Sequence, residues 1–425
     1  MERRHSETFE IALGEQDGMR RSSDVVASLA RAAQSAELRF LCACIGWPPS
    51  PERDAAIRAR AAAVRDWPAF LALARRHRVE IPIARALRRL ELDVPEAVRG
   101  PLGAAAKRQE IQSALMGAAA CEIHKALCDE DIQVVTLKGA PLGVIAFGDP
   151  AMRQVRDVDL LVQPDDFAHA AAVMRRLGYR RTLPAESAGP RLLRLWQRLR
   201  KDHTFQRGRI LVEFHWRATE NPFLLQLPWD SRSWRKIPVG SGCQLNALGP
   251  QDMFAYLCIH GAVTGWHRLK WLADVAALLA QETPETIGVL FDAALARGAG
   301  RAAGQAMLLC GALLDTVIPA TVRQRLAADR ATVRLAEVAL YALLQDGVTE
   351  RSMRGFATLR PALLRLSLSP SMRFKLREIV LGIANPSEAA DAEFSDSLMF
   401  LYPVLRVFVW LGKHISLVAS RRRAA

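Results

Sequence analysis

The chain of 425 residues lacks the marks of several common protein classes. Its seven cysteines are scattered, and none forms a CxxC pair or a Cys/His spacing typical of a zinc site. We therefore expect reduced thiols and a cytoplasmic location. The first residues are polar and mixed in charge, without the apolar stretch of a signal peptide, and we expect residues 1–23 to form a mobile N-terminal arm.

Acidic residues are also in deficit, with 44 Asp and Glu against 58 Lys and Arg and a formal net charge of +14. Lysine is scarce, so the basic excess is mostly arginine, which favours anionic partners. The arginines are spread along predicted helices, and solvated helix faces explain them most simply. No RNP, zinc-finger or helix-turn-helix signature is present, so nucleic acid stays a possible partner that no motif supports.

Uncharged runs long enough to span a bilayer are missing as well. The most apolar segment, 397–418, contains Pro403 and Arg406, and we expect it to form a buried C-terminal helix. The basic tail at 421–423 offers an alternative, which is peripheral contact of the C-terminus with an anionic membrane surface.

Half of the residues are hydrophobic, which is enough for a sizeable core. Apolar residues at three- and four-residue spacing predict helices over 24–130, with Asp66 as the N-cap of one of them, and again from 246 onward. Short β-branched runs lie between these regions. The predicted strands are 134–137, 155–162, 179–182, 203–206 and 210–216. A helix from Pro164 to Gly178 separates the second strand from the third, which indicates a small mixed module of strands and helices.

The second predicted strand carries two carboxylates, Asp157 and Asp159, inside an otherwise apolar run. Side chains alternate along a strand, so both acids face the same way with Cα atoms roughly 6.5–7 Å apart. Because neighbouring carboxylates repel and lose hydration on burial, we expect a cation between them. Mg²⁺, with Mn²⁺ as a substitute, prefers oxygen ligands and leaves positions for phosphate oxygens. A salt-bridged edge strand is the simpler structural interpretation.

A third acid, Glu213, shares a strand face with His215 in the segment ILVEFHW. An antiparallel pairing of this strand with the DxD strand would bring Glu213 beside the aspartates. His203 and His215 are candidates to face the same site, although histidines that are merely hydrogen-bonded are more common in strands. Further candidates for lining the cleft occur at helical spacing downstream: His260, Arg268 and Asp274.

The stretch LKGAPLG places Lys138 and Gly139 at a strand end, directly before a predicted helix. Glycine allows close backbone approach, and the N–H groups at a helix N-terminus bind phosphate well. A lysine in an arginine-dominated chain indicates that an ammonium group is needed there. Arg153 and Arg156, just before the acids, are suited to neutralising a triphosphate.

The order of these pieces resembles the nucleotidyltransferase superfamily that shares the DNA polymerase β palm. More closely, the chain is similar to the bacterial uncharacterised nucleotidyltransferase family, whose pattern is LKG, then R, D-[IV]-D-L-L-V, L-G-Y and V-E-[LF]-H-W. The matching segments here are 137–139, Arg153, 157–162, 177–179 and 212–216. The resemblance covers roughly residues 60–290.

The resemblance implies an α+β fold in which a small mixed-sheet polymerase β-like core is embedded between predominantly helical regions. The implied parts are the arm (1–23), a helical N-terminal region (24–130), the catalytic core (131–245), a helical domain (246–350) and a C-terminal helical region with the basic tail (351–425). Carried over by motif, the metal ligands and catalytic acids are Asp157, Asp159 and Glu213. The nucleotide-binding residues are Lys138, Gly139 and Arg153.

The implied activity is Mg²⁺-dependent transfer of a nucleoside monophosphate from a nucleoside triphosphate to an acceptor hydroxyl, with release of pyrophosphate. The acceptor stays open between a small molecule, a sugar, a protein and an RNA end. One departure is that the superfamily's GS turn is KG here, so the serine hydroxyl is missing. This departure favours an alternative, a catalytically inactive nucleotide-binding or regulatory module on the same fold, whereas three retained acids argue for activity.

Overall fold

The computed structural model describes residues 35–240, 242–344 and 364–391, together with 26, 28, 30, 396–399, 401–402 and 405–406. The predicted N-terminal arm and most of the apolar segment 397–418, with the basic tail, lie outside these residues. No helix in the described ranges is both long and apolar enough to cross a membrane.

Helices precede the sheet, as the periodicity predicts. They are α1 (Ala36–Ile45), α2 (Pro51–Ala61), α3 (Trp67–His77), α4 (Glu80–Arg89) and α5 (Glu96–Cys128). Asp66 caps α3 as expected, because its side chain accepts a hydrogen bond of 2.8 Å from the backbone N–H of Ala69. The C-terminal half of α5 packs on the sheet and thereby connects the helical region to it.

A mixed sheet of seven strands forms the centre of the described chain, which confirms the predicted α+β class. Its strands are β1 (Val134–Thr136), β2 (Val158–Val162), β3 (Arg180–Leu183), β4 (Asp202–Arg207), β5 (Ile210–His215), β6 (Arg235–Gly240) and β7 (Cys243–Ala247). The spatial order is β3-β4-β5-β2-β1-β7-β6. The intervening helices are α6 (Ala140–Phe147), α7 (Phe167–Arg176) and α8 (Pro190–Leu199).

The pairing of β2 differs from the expectation. β2 and β5 run parallel rather than antiparallel, while β1 lies antiparallel on the other side of β2. β2 also begins at Val158, three residues later than predicted, so Asp157 precedes the strand. Strands β6 and β7 were not predicted, and β6 contains Pro238, which is tolerated at the sheet edge that this strand occupies.

The two faces of the sheet bury different chemistry. One face packs apolar side chains such as Leu160 and Phe214 against α5 and α7, in a core that also includes Trp196 of α8. The opposite face carries Asp159 and Glu213, because side chains alternate along each strand. Helices that follow the sheet contribute to a second, larger core.

Those helices are α9 (Pro250–Val263), α10 (Leu269–Leu279), α11 (Pro284–Ala296), α12 (Gly300–Leu314), α13 (Ala320–Ala328), α14 (Arg330–Leu344), α15 (Met372–Ile383) and α16 (Ser387–Asp391). One prediction about cysteine is wrong, because Cys121 of α5 and Cys243 of β7 form a disulfide. The two cysteines are 122 positions apart in sequence, so the pattern alone does not reveal that the packing of α5 against β7 brings them together.

Candidate functional site

Two of the three predicted acids meet at the centre of the sheet. Asp159 of β2 and Glu213 of β5 are direct partners in the parallel register, so their side chains leave the same face at neighbouring positions. Asp159 is only 1% exposed, whereas the Glu213 side chain keeps 29% of its surface accessible. Burial of two neighbouring acids requires positive charge nearby.

Lys138 supplies part of that charge. Its Nζ lies 3.2 Å from Oδ1 of Asp159, and both side chains are buried. Neither Asp159 oxygen, however, has a hydrogen-bond donor in good geometry among the described residues. A buried carboxylate of this kind carries unused ligand capacity.

His215 completes a group of three. Its Nε2 lies 3.5 Å from Oδ1 of Asp159 and 3.6 Å from Oε2 of Glu213, and the ring is fully buried. One ligand atom from each of the three residues lies within 4.8 Å of the others. Nε2 also lacks a well-aligned hydrogen-bond partner in the described chain. Two carboxylates and an imidazole are suitable ligands for a divalent cation, so these three residues are chemically suited to a metal site.

Lys201 and Asp202 lie behind the histidine and were not found from the sequence. The Nδ1 atom of His215 is 3.3 Å from the ammonium of Lys201 and 3.7 Å from Oδ2 of Asp202. Asp202 is itself paired with Lys201, with Oδ2 and Nζ 3.0 Å apart, so both charges border the second ring nitrogen of the imidazole. Asp202 reaches the site because the pairing of β4 with β5 places it opposite His215. That register is not visible in the local sequence pattern, so no local signal identified Asp202.

The charges in this cluster shift one another's pKa values. Burial opposes the charged forms of Lys138 and Asp159, but their mutual attraction outweighs it: the pKa of Lys138 rises and that of Asp159 falls. Burial raises the pKa of Glu213, although the ammonium of Lys201 partly opposes this. Tyr256, from α9, is buried above the cluster, and desolvation raises its pKa too.

Gly139 has the backbone geometry that the phosphate-binding hypothesis needs. It precedes α6 with φ +79° and ψ −143°, a conformation that residues with a side chain rarely adopt. Lys138 immediately before it reaches Asp159. The turn therefore places a glycine, a helix N-terminus and an ammonium group near the end of β2 at which Asp159 lies.

Asp157 lies beside the group rather than within it. The residue is half-buried in the bend before β2, and it is not one of the three residues whose ligand atoms cluster. It nevertheless lies near Lys138, because its charge contributes to raising the pKa of that lysine. It also acts on Lys270, whose pKa burial and Arg153 lower to about 7.

Arg153 is held in a separate buried ion pair. Its Nε donates to both carboxylate oxygens of Asp274 at 2.9 Å, and neither side chain is more than 5% exposed. Ser113 also binds the backbone of this segment, since its hydroxyl donates to the carbonyl of Arg153. These contacts fix the chain just before β2, and they leave the guanidinium engaged with Asp274.

The remaining histidine and arginine candidates lie elsewhere. His203 points to the opposite face of the sheet, where its ring packs edge-on against Phe167 and Trp216. His260 contacts the rings of Tyr256 and Trp271 within the helical region. The Nε of Arg268 donates to the ring of its neighbour His267, with an N···N distance of 3.2 Å.

Comparison with known families gives one match. The family described as "Uncharacterised nucleotidyltransferase" matches residues 63–315, a span that includes the whole sheet and the three clustered residues. Comparisons with curated proteins and with solved structures return no match.

Proposed function

The chain belongs to the uncharacterised nucleotidyltransferase family, and from that premise we propose that it moves a nucleoside monophosphate from a nucleoside triphosphate to an acceptor hydroxyl. The observation that carries the proposal is the group of Asp159, Glu213 and His215, whose ligand atoms converge within 4.8 Å. A divalent cation, Mg²⁺ or Mn²⁺, held there would neutralise phosphate charge and lower the pKa of the acceptor hydroxyl.

Different residues take the metal and the phosphates in this proposal. Asp159, Glu213 and His215 would hold the cation, and Asp157 lies beside this group. Lys138 and the backbone at Gly139 would bind the phosphates, because the ammonium lies beside Asp159 and the glycine directly precedes α6.

Arg153 also contributes to the proposed site. Its guanidinium is buried against Asp274, so we assign it to positioning the segment that leads into β2 rather than to direct phosphate contact. It remains linked to the nucleotide site because the segment it holds ends at Asp157 and Asp159.

The chemical step is a substitution at the α-phosphorus. The acceptor oxygen forms a bond to that phosphorus, and the bond from phosphorus to the bridging oxygen of pyrophosphate breaks. Pyrophosphate leaves with the electron pair, and the acceptor proton passes to the carboxylate of Glu213, the most accessible member of the group. Lys138 stabilises the charge that develops on the phosphates.

The test is transfer of label from α-labelled nucleoside triphosphates to components of a cell extract, with Mg²⁺ or Mn²⁺ added. We expect a labelled product with the wild-type chain and none with the double variant Asp159→Asn/Glu213→Gln. Product formation at the wild-type rate by the double variant would contradict the proposed site.

Equilibrium nucleotide binding separates the proposal from the regulatory alternative. An enzyme and an inactive module would both bind nucleotide, but only the enzyme forms labelled product. Binding with no product, over all four nucleotides and a range of extracts, would therefore favour the regulatory module.

A further inference from the structure

A cavity of about 580 Å³ opens near the N-terminal ends of β2 and β5, the two strands that carry Asp159 and Glu213. Its walls come from α3, α4, α5, the segment before β2 and the β4–β5 turn with the start of β5. This volume is in the range of a site for a small organic molecule. Four arginines line it: Arg75, Arg108, Arg156 and Arg209.

These four arginines are not explained by internal ion pairs. Within the described part of the chain none of them has a carboxylate at salt-bridge distance, whereas many other arginines do. The cavity contains one acidic residue, Glu80, which is 5% exposed and whose pKa is raised by burial. The lining is therefore strongly cationic, and arginine binds phosphate oxygens through paired N–H donors.

Three residues of the lining also carry buried acceptor atoms without partners among the residues that the structure describes. Oε2 of Glu80, Oε1 of Gln109 and Oε1 of Gln154 are buried and have no hydrogen-bond donor in the described ranges. Buried polar atoms usually have a partner, and an unmade hydrogen bond is costly. Because these oxygens are covered from solvent, the polar groups that a ligand in the cavity meets first are the four arginines.

Chain geometry connects this cavity to the acids. Leu211 lines the cavity and lies two residues before Glu213 on the same face of β5, a separation of roughly 6.5–7 Å. Arg156, another lining residue, immediately precedes Asp157. A small molecule held by the arginines can thus present a hydroxyl to Glu213.

The lining has no aromatic side chain. Proteins that bind single-stranded nucleic acid normally stack bases on aromatic rings. Arginines without a carboxylate partner, with no aromatic ring beside them, suit a compact molecule that carries phosphate groups. We propose that the cavity binds the acceptor of the transfer reaction and that this acceptor is a phosphorylated small molecule with a free hydroxyl group. Its role as acceptor rests on the proposed function.

The first test is binding of inorganic pyrophosphate in EDTA, so that a metal-dependent product site contributes nothing. Calorimetry should give saturable binding that weakens about 10- to 100-fold in Arg108→Ala/Arg209→Ala, because two charge-assisted contacts are lost. The matched control is Arg194→Ala/Arg323→Ala, which removes two exposed arginines away from the cavity and should change the dissociation constant less than about twofold.

The same variants should also discriminate against nucleic acid. We expect a labelled single-stranded RNA oligonucleotide to bind no more tightly than pyrophosphate and to lose affinity equally in both double variants. RNA binding that is much tighter and depends only on Arg108 and Arg209 would overturn the small-molecule class. Absence of pyrophosphate binding, or equal binding by the cavity variant and wild type, would overturn the cavity itself.

The second test uses the label-transfer reaction with the small-molecule fraction of an extract. Pretreatment of that fraction with alkaline phosphatase should abolish acceptance of label, and Arg108→Ala/Arg209→Ala should reduce transfer about 10- to 100-fold. Undiminished transfer to the dephosphorylated fraction would refute the inference while the proposed function stands. No transfer by wild type in any extract would refute the proposed function, and the binding test would then decide the cavity alone.

Discussion

Two clusters of buried charge lie close together in this molecule, and they differ in how fully their charges are satisfied. In one, Arg153 donates to both oxygens of Asp274 at 2.9 Å. In the other, Asp159 and Glu213 face one another with His215 between them, and the Asp159 oxygens lack well-aligned donors among the described residues.

The difference indicates which charges serve the fold and which serve a ligand. A buried pair with good geometry compensates its own desolvation, and breaking it leaves an isolated charge. A group of acids with unused ligand positions is compensated only in part until a cation arrives. Both clusters contain a buried aspartate, so the distinction lies in the partners of that aspartate and in their geometry.

The largest expected effect is on activity at the unsatisfied cluster. Asp159→Asn keeps the shape of the side chain but removes a metal ligand, and we expect nucleotidyl transfer to fall about 10⁴-fold. The rate of label transfer measures this, with the circular dichroism spectrum as the control for folding. A folded variant with more than a tenth of wild-type activity would show that the two clusters do not differ in the way described.

The reciprocal change at the satisfied pair should act on stability instead. Asp274→Asn leaves Arg153 buried without its counter-charge, so we expect the free energy of unfolding to fall by about 3–4 kcal/mol. Urea denaturation gives this value for both variants. We expect Asp159→Asn to lose less, because Lys138 keeps the charges of Asp157 and Glu213 nearby and because the substitution relieves repulsion with Glu213. Equal losses of unfolding free energy in the two variants would contradict the proposed difference between the two clusters.

Substitutions at His215 and Asp202 test which residues of the site bind the metal ion. His215→Gln should weaken Mn²⁺ binding about 100-fold, and Asp202→Asn about 10-fold, since the first removes a ligand and the second only a negative charge beside that ligand's other ring nitrogen. Titration of the free Mn²⁺ signal by electron paramagnetic resonance measures both affinities. Nitrogen coupling on the bound ion should disappear in His215→Gln and persist in Asp202→Asn. Wild-type affinity in His215→Gln would exclude the imidazole as a ligand.

The smallest expected effect concerns His203, on the opposite face of the same sheet. Burial lowers its pKa to about 4, below the value of about 6.5 in an unfolded chain. The unfolded chain therefore takes up more protons between those values, and stability falls as the pH falls through this range. From pH 7 to 5.5, His203→Gln should lose about 1 kcal/mol less stability than wild type in urea titrations. Parallel losses would show that His203 titrates normally.

Local patterns predicted much of the fold and part of the site. Strand alternation placed Glu213 and His215 on one face, and the KG turn marked the one glycine that begins a helix beside the acids. The cap at Asp66 was predictable because it depends on residues three positions apart. Each of these features is determined within one element.

The features that sequence reasoning missed depend on contacts between distant elements. The parallel pairing of β2 with β5 follows from the path of the intervening chain, which alternation does not encode. Lys201 joins the site only through the β4–β5 register, and Arg153 meets Asp274 across 121 positions of sequence. β2 begins at Val158, so Asp157 lies outside the strand. Strand ends depend on packing between distant elements, and local patterns locate them poorly.

Crystals grown with Mn²⁺ and measured for anomalous scattering would test the central claim most directly. The account predicts one strong anomalous peak roughly 2–2.5 Å from the nearest oxygens of Asp159 and Glu213 and from Nε2 of His215. A fully formed crystal structure at saturating Mn²⁺ with no peak among these three residues, or with the ion bound elsewhere, would contradict it.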